Sequence, residues 1–320
     1  MNVSVYKSLK SELEKGRKAA VITFTNMREG GGVAVRNKIL VTEKQLLSNP
    51  EKTPHIDAAT AERVKYALET GNLQYFHASN GVSILIEPYF PRPHLIVLGG
   101  ENIAKPLTEF GAKVGFLVTV VDDRPMFANK DRFPHAERVV CDSFNNCFIQ
   151  FDLNEYSFVV VIIREHRHDL DCLKQALNYK TAYIGMIGSR RSVDSMKEQL
   201  LNSGFSSEQI NRINAPIGLD IGAITPEEIA ISIMAQIISC RRHIRITTET
   251  AADTVSNQAK WPELDGLVLE ELCKDTEEPK ALVTIIETQG PSPGKAGAKM
   301  LVWPYGMTMG SIGGGYAEGE

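Results

Sequence analysis

Residues 94–100 read HLIVLGG, an apolar run that stops at two glycines. A run with no polar alternation is the pattern of a strand covered on both faces, as in a parallel sheet packed between helices. The same pattern recurs outward from it. A helical stretch at 103–110 is followed by FLVTVVDD (116–123), a loop RPMFANKDRFPHAE (124–137) and the short run RVVC (138–141). SFVVVII (157–163), the helical LDCLKQALN (170–178), AYIGMIG (182–188), a helix at 192–203 and the long helix TPEEIAISIMAQIISCRRH (225–243) come next. Strands spaced by helices predict βαβ units and a doubly wound parallel sheet.

The flanks read differently. Residues 1–90 give a helix from Val3 to Glu14, β-type runs at AAVITFT and NKILVTE, a helical DAATAERVKYALETG and a strand GVSILIEPY. The proline-rich PYFPRPH then punctuates the chain. The expected fold class is α/β: a Rossmann-like parallel-sheet domain at 91–245 plus a smaller β-rich α+β domain at 1–90. Residues 246–280 are polar and read as a linker, with a short helix around LDGLVLEELC. At 281–320 β-type runs resume between glycine turns. ALVTIIET echoes AVITFTNM and GAKMLVWP echoes RNKILVTE, so this segment reads as a partial second copy of the small domain without its helical half. Such a copy has two uses open to it: completing its own N-terminal domain, or packing against a second subunit in a homodimer.

Composition excludes several function classes. The 320 residues are 43% hydrophobic and 23% charged, which is ordinary for a globular protein. A net charge of −4 argues against nucleic acid, whose binding is driven by counterion release at lysine and arginine. Five cysteines at 141, 147, 172, 240 and 273 form no C-x-x-C, so no metal site is expected and a reducing, cytoplasmic setting is. The N-terminus has no apolar core of a signal peptide, and no window reaches the roughly 18 apolar residues of a membrane span.

The chemistry-bearing residues cluster where strands end. VLGGENIAKPL puts Gly99 and Gly100 where a dinucleotide-binding turn reads G-x-G-x-x-G/A, but Glu101 takes the place of the second glycine and would repel a pyrophosphate. Asp122, about 20 residues on, stands where a ribose-binding acid would. VVDDRP, with Asp122, Asp123 and Arg124, is either a ligand-facing strand end or a surface turn with a local ion pair. REHRHD (164–169) offers two imidazoles beside acids. YIGMIGSRR ends in Gly188, Ser189, Arg190 and Arg191, which reads as an anion socket at a helix N-terminus, or as a capped helix with solvated arginines. Before TPEE, where Thr225 and Glu228 predict a capping box, Gly218, Asp220 and Gly222 are unexplained by capping. GSIGGGYAEGE supplies Gly313, Gly314, Gly315 and Glu318, a loop suited to close backbone contact or a flexible tail.

In order and spacing, VTVVDDRP, RFPHAERVV, AYIGMIGSRR and PIGLDIGAITPEEIAISIMAQII resemble the Rossmann-like domain of the XdhC/CoxI family, accessory proteins that mature molybdenum hydroxylases such as xanthine dehydrogenase. ALVTIIETQGPSPGKAGAKMLV and GSIGGGYAEGE are similar to that family's small domain, here placed C-terminally. The resemblance implies a chaperone that binds molybdenum cofactor (molybdopterin), assists its sulfuration by a cysteine desulfurase and delivers it to the apo-hydroxylase. It implies that Ser189 to Arg191 hold the anionic end, that Asp122, Asp123 and Asp220 accept hydrogen bonds from pterin or ribose, and that Gly313 to Gly315 close the site. No step in this requires catalysis. Two departures stand: Tyr316 replaces the cysteine of the family's glycine loop, and GGEN replaces its first-strand G-x-G-H. The alternative is an oxidoreductase using NAD(P) or a flavin on the same sheet.

Overall fold

The computed structural model describes residues 3–27, 33–48, 56–78, 81–163, 168–242, 244–245, 258–259, 261–262, 265–288 and 296–313. The chain divides into two units, one made of residues 1–91 and 243–320 and one of residues 92–242.

The N-terminal segment runs α1 (Val3–Glu14), β1 (Ala19–Met27), β2 (Val33–Thr42), α2 (Glu43–Ser48), α3 (Ala58–Thr70), β3 (Gln74–His77) and β4 (Val82–Tyr89). Its antiparallel sheet has the order β2-β1-β4-β3. Strand β1 is buried on both faces because both are covered. Ala20 and Ile22 join Val64, Ala67 and Leu68 of α3, while Ala19 and Val21 face Tyr6, Leu9 and Leu13 of α1. Helix α3 is bounded as its sequence predicts, by Asp57 accepting from the Thr60 N–H and by Gly71 in the left-handed region at φ 70°.

The central unit runs β5 (His94–Leu98), α4 (Ala104–Lys113), β6 (Leu117–Asp122), β7 (Arg138–Cys141), a 3-10 turn (Cys147–Gln150), β8 (Ser157–Val161), α5 (Asp169–Leu177), β9 (Tyr183–Met186), α6 (Arg190–Asn202), α7 (Ser207–Ile210), β10 (Ile213–Asn214) and α8 (Pro226–Arg242). The six strands are all parallel, in the order β10-β9-β8-β5-β6-β7. This is the doubly wound arrangement in which strand order reverses between β5 and β8. One face packs Ile96, Val121, Val159 and Ile184 against α5 and α6. On the other, Gly111 of α4 lies so close to Leu95, Val118 and Met234 of α8 that a Cβ there would meet the Leu95 side chain at 2.9 Å. Helix α6 starts two residues earlier than its apolar pattern suggests, because Ser189 caps it and draws Arg190 and Arg191 into the first turn.

The C-terminal segment adds β11 (Ile244–Arg245) paired with β12 (Gln258–Ala259), then α9 (Gly266–Leu272), β13 (Ala281–Thr284), β14 (Lys299–Val302) and β15 (Thr308–Gly310). Its sheet has the order β13-β14-β15. The stretch read as linker contains α9, whose Val268, Leu269 and Leu272 are buried with Leu301 and Trp303 in one core with α1, Val21 and Tyr89. Leu301 and Trp303 of the partial copy are thus buried against the N-terminal segment of the same chain. A buried ion pair, Lys299 Nζ to Glu87 Oε1 at 3.0 Å, fastens the two segments, and Lys38 donates beside it to the Tyr6 and Thr23 hydroxyls, each at 3.0 Å.

Candidate functional site

A parallel sheet delivers all its strands' C-terminal ends to one edge, and open α/β sheets bind ligands there. Gly99 and Gly100 follow β5, Asp122 closes β6, and Gly188 and Ser189 follow β9, so the structure sets these predicted residues along one edge. The two ends of that edge are built differently.

At β5 and β6 the chain's own groups fill the site. Gly99 has φ 110°, and a Cβ there would stand 2.6 Å from the Ile162 carbonyl oxygen, so the glycine serves close packing of two chain crossings. Gly100 has its Cα against the Phe127 backbone carbonyl, with no room for a side chain. Asp122 is fully buried and its lone pairs are taken. Oδ2 accepts from the Gly100 N–H at 2.8 Å and Arg124 Nη2 at 3.0 Å, and Oδ1 accepts from the Arg124 N–H at 3.0 Å and Arg124 Nε at 2.9 Å. Burial pushes its pKa up, but hydrogen bonds from the Arg124 guanidinium and from the Gly100 and Arg124 amides prevail and hold it below the usual carboxylate range. Glu101, the residue in the second glycine's place, accepts from Arg124 Nη1 at 3.1 Å. Arg132 Nε donates to the Gly100 carbonyl at 2.8 Å, and both guanidinium groups lie over the Phe127 ring, at 4.0 Å for Arg124 and 5.1 Å for Arg132. The β6–β7 loop is thereby folded over the glycine turn. Asp123 stays at the rim, with its carboxylate 3.9 Å from Arg124 Nε.

At β9 the groups are open. Ser189 Oγ accepts from the Ser192 N–H at 3.2 Å, and a Cβ on Gly188 would meet Ser192 Oγ at 2.7 Å, so this glycine lets the capped turn close. Arg190 and Arg191 are exposed and make no hydrogen bond or ion pair among the described residues. The loop carrying Asp220 leaves β10 beside them. The Ile217 N–H donates to the Met186 carbonyl at 3.0 Å, the Gly218 N–H to Gln236 Oε1 at 2.9 Å, and Ser232 Oγ to the Leu219 carbonyl at 2.6 Å. Asp220 itself is exposed. The capping box at the start of α8 is present, with Glu228 Oε2 accepting from the Thr225 N–H at 2.9 Å.

The remaining candidates fall elsewhere. Gly313 belongs to the other unit, where its N–H donates to Ser311 Oγ at 3.1 Å. Gly314, Gly315, Tyr316 and Glu318 lie outside the described residues, as do residues 164–167 of REHRHD. Sequence reasoning missed Phe127, Arg132 and Gln236. Arg132 shares its loop with Arg124 and Lys130, so the sequence does not single it out, and the Phe127 carbonyl that meets Gly100 is a backbone group that side-chain identity does not announce.

Comparison with known proteins fits this architecture. Residues 95–237 match the XdhC Rossmann domain, and residues 273–320 match the XdhC and CoxI family. The chain is 28% identical over 215 residues to the uncharacterized protein YqeB of Escherichia coli, covering 67% of this chain and 38% of that one. It is 28% identical over 188 residues to a Bacillus subtilis protein named as a probable xanthine dehydrogenase subunit, covering 59% and 54%. It is also 29% identical over 85 residues to the molybdenum cofactor insertion chaperone PaoD of Escherichia coli, covering 27% of each. The chain thus spans about half the length of these relatives, or less. A crystal structure of a Bacillus halodurans protein described as a xanthine dehydrogenase shares the fold, with a TM-score of 0.53 at 23% identity over 77% of this chain and 65% of that one. With two models of one family matched in separate stretches that together span more than half of its length, the chain belongs to the XdhC and CoxI family.

Proposed function

We propose that this chain binds a molybdenum cofactor as cargo, assists its sulfuration and hands it to a molybdenum hydroxylase such as xanthine dehydrogenase. The observation that carries the reading is the pair of exposed guanidinium groups at Arg190 and Arg191, without partners among the described residues, on the first turn of a helix at the ligand-binding edge of the sheet. Free first-turn amides and two fixed positive charges suit a phosphate, the anionic end of molybdopterin. Ser189 shapes the turn and Asp220 supplies a hydrogen-bond acceptor from the neighbouring loop. Asp122 and Arg124 act one step back, by holding the β5 turn and the β6–β7 loop in place. The relative named as a molybdenum cofactor insertion chaperone supports the cargo, and the one named as a probable xanthine dehydrogenase subunit supports the recipient. A cysteine desulfurase would supply the sulfur.

The geometry weighs against a dinucleotide oxidoreductase on the same sheet. Asp122, which would have to accept from a ribose hydroxyl, already accepts four hydrogen bonds, and the Phe127 carbonyl presents an oxygen against Gly100, in the middle of the turn that would have to approach phosphate. Equilibrium binding of anaerobically prepared molybdenum cofactor to the protein and to Arg190→Ala/Arg191→Ala tests the proposal. Saturable binding that the double substitution weakens by about tenfold or more is the expected result, since each lost charge-assisted contact contributes about 1.5–3 kcal/mol. No binding by the unsubstituted protein sinks the carrier reading, and micromolar NADPH binding in a parallel fluorescence titration would reinstate the oxidoreductase.

A further inference from the structure

Residues 217–225, IGLDIGAIT, are fastened along α8 as a strap. The Ile217 N–H donates to the carbonyl of Met186, the last residue of β9. Further along the strap, Gly218 is bonded to Gln236, Leu219 to Ser232, and the Ile224 and Thr225 N–H groups donate to Glu228 Oε2 at 2.8 and 2.9 Å. As the strap advances, its partners step back toward the start of α8, so it runs antiparallel to the helix and carries Asp220 beyond the end of β9. Gly218 has φ 98°, and a Cβ there would meet Ser232 Oγ at 2.5 Å, so the close approach to α8 requires a glycine. The backbone on both sides of Asp220 is thus held, while its carboxylate stays exposed.

Gln236 also reaches the sheet. The Gly218 N–H can only donate, so the amide atom that faces it is Oε1, at 2.9 Å, and the Tyr183 hydroxyl donates to the same oxygen at 2.5 Å. Burial pushes the pKa of that hydroxyl up, so it keeps its proton and remains a donor. Gln236 Nε2 donates in turn to the Gly218 carbonyl at 3.4 Å. Tyr183 opens β9, the strand that runs on to Gly188 and Ser189. Gly185 in that strand leaves the space the hydroxyl needs, since a Cβ there would stand 2.7 Å from the Tyr183 oxygen and 2.5 Å from Ile217 Cδ1. One amide therefore ties the strap of Asp220 to the strand that ends in the Ser189–Arg191 turn. Apolar side chains would pack helix on strand without these bonds; the amide adds direction, because its two acceptor positions and its donor are each assigned.

We infer, resting on the cofactor-carrier reading above, that Gln236 is a positioning residue of the cargo site, which sets the place of Asp220 relative to the Ser189–Arg191 turn. It acts through the strap. What it fixes is the span between the guanidinium groups that meet the anionic end of the cargo and the carboxylate that accepts from its other end, and a site discriminates by holding such groups at a set distance.

The test is a double-mutant cycle. Anaerobically prepared molybdenum cofactor is titrated into the protein, Asp220→Ala, Gln236→Met and the double variant; Tyr183→Phe, a milder change at the same amide, is carried through the same cycle. Gln236→Met should weaken binding about tenfold, the scale of one hydrogen bond to a charged group. In the Asp220→Ala background the same substitution should cost about twofold or less, because the group it positions is already gone. Tyr183→Phe, which leaves Gly218 on Gln236, should act in the same direction by a smaller factor. Without cofactor, hydrogen exchange of the strap amides should rise in Gln236→Met while that of α5 stays unchanged. Equal loss of affinity in both backgrounds overturns the inference, since a general disturbance of the fold does not depend on Asp220, and so does unchanged exchange of the strap. Binding by the unsubstituted protein that Gln236→Met leaves intact overturns the inference alone, whereas no binding by the unsubstituted protein overturns it together with the carrier reading.

Discussion

Asp122→Asn replaces one oxygen of the carboxylate on which the β5 turn and the β6–β7 loop converge. The carboxylate accepts three hydrogen bonds from Arg124 and one from the Gly100 amide, and it is fully buried. In the amide, the NH2 group faces a guanidinium N–H in either orientation, together with the Arg124 N–H in one and the Gly100 N–H in the other, donor against donor. Breaking a fully buried pair costs about 3–5 kcal/mol, but Arg124 is 43% exposed and keeps Glu101, so we expect about 2–3 kcal/mol. For a unit of this size that corresponds to a fall in Tm of about 4–12 °C. The pH dependence supplies an independent check. The folded carboxyl is held below its unfolded value, so its contribution is present above about pH 4 and is lost as pH falls through the folded pKa. The substituted protein should therefore lose less stability than the parent on acidification from pH 6 to pH 3. Urea unfolding monitored by far-UV circular dichroism across that range measures both. A destabilisation under about 0.5 kcal/mol at pH 7, the size of an ordinary surface change, would refute the claim that Asp122 organises this end of the sheet.

Three further outcomes are expected. Arg190→Ala/Arg191→Ala should change unfolding free energy by no more than about 0.5 kcal/mol, because both side chains are exposed; a larger loss in urea titration would place them in the fold's own framework. Glu87→Gln leaves the Lys299 ammonium buried without its carboxylate and should destabilise the discontinuous unit by about 3 kcal/mol, read from tryptophan fluorescence at Trp303 during denaturation. His94 has its pKa lowered to about 4, first by burial and then by Arg138, so it folds neutral and hydrogen-bonded to Thr119. Stability it contributes is complete above about pH 6.5 and is lost as pH falls toward 4; NMR titration of its ring should show no protonation at pH 6.

The strands of the central sheet were legible because each is a short apolar run bounded by a turn, and a parallel strand buried on both faces leaves no ambiguity of face. The short β3 and β10 were not, since QYFH and IN carry no periodicity and owe their strand conformation to β4 and β9. Capping residues were legible at Ser189 and Thr225 because a hydroxyl beside a helix end has local geometry alone to satisfy. The state of Asp122 was not. Its sequence context, an acid at a strand end about 20 residues after a glycine turn, is the same whether the carboxylate faces a ligand or an arginine. What distinguishes the cases is that Arg124 two residues on folds back to Oδ1 and Oδ2, and that a loop 32 residues beyond the turn returns Arg132 to the Gly100 carbonyl.

Glu101 joins these observations. As an isolated letter it is a defect, a carboxylate in the seat of a glycine that ought to approach phosphate. In the fold it accepts from Arg124, whose remaining nitrogens bond Asp122, so the residue that would expel a pyrophosphate is the one that locks the loop over its seat. A glycine at 101 would free one arm of Arg124 but would leave the Phe127 carbonyl against Gly100 and all four bonds to Asp122 in place. Restoring the motif's letters would therefore not restore dinucleotide binding. The anion site we propose lies four strands of sequence later, where Arg190 and Arg191 stand exposed on a helix that Ser189 has already capped.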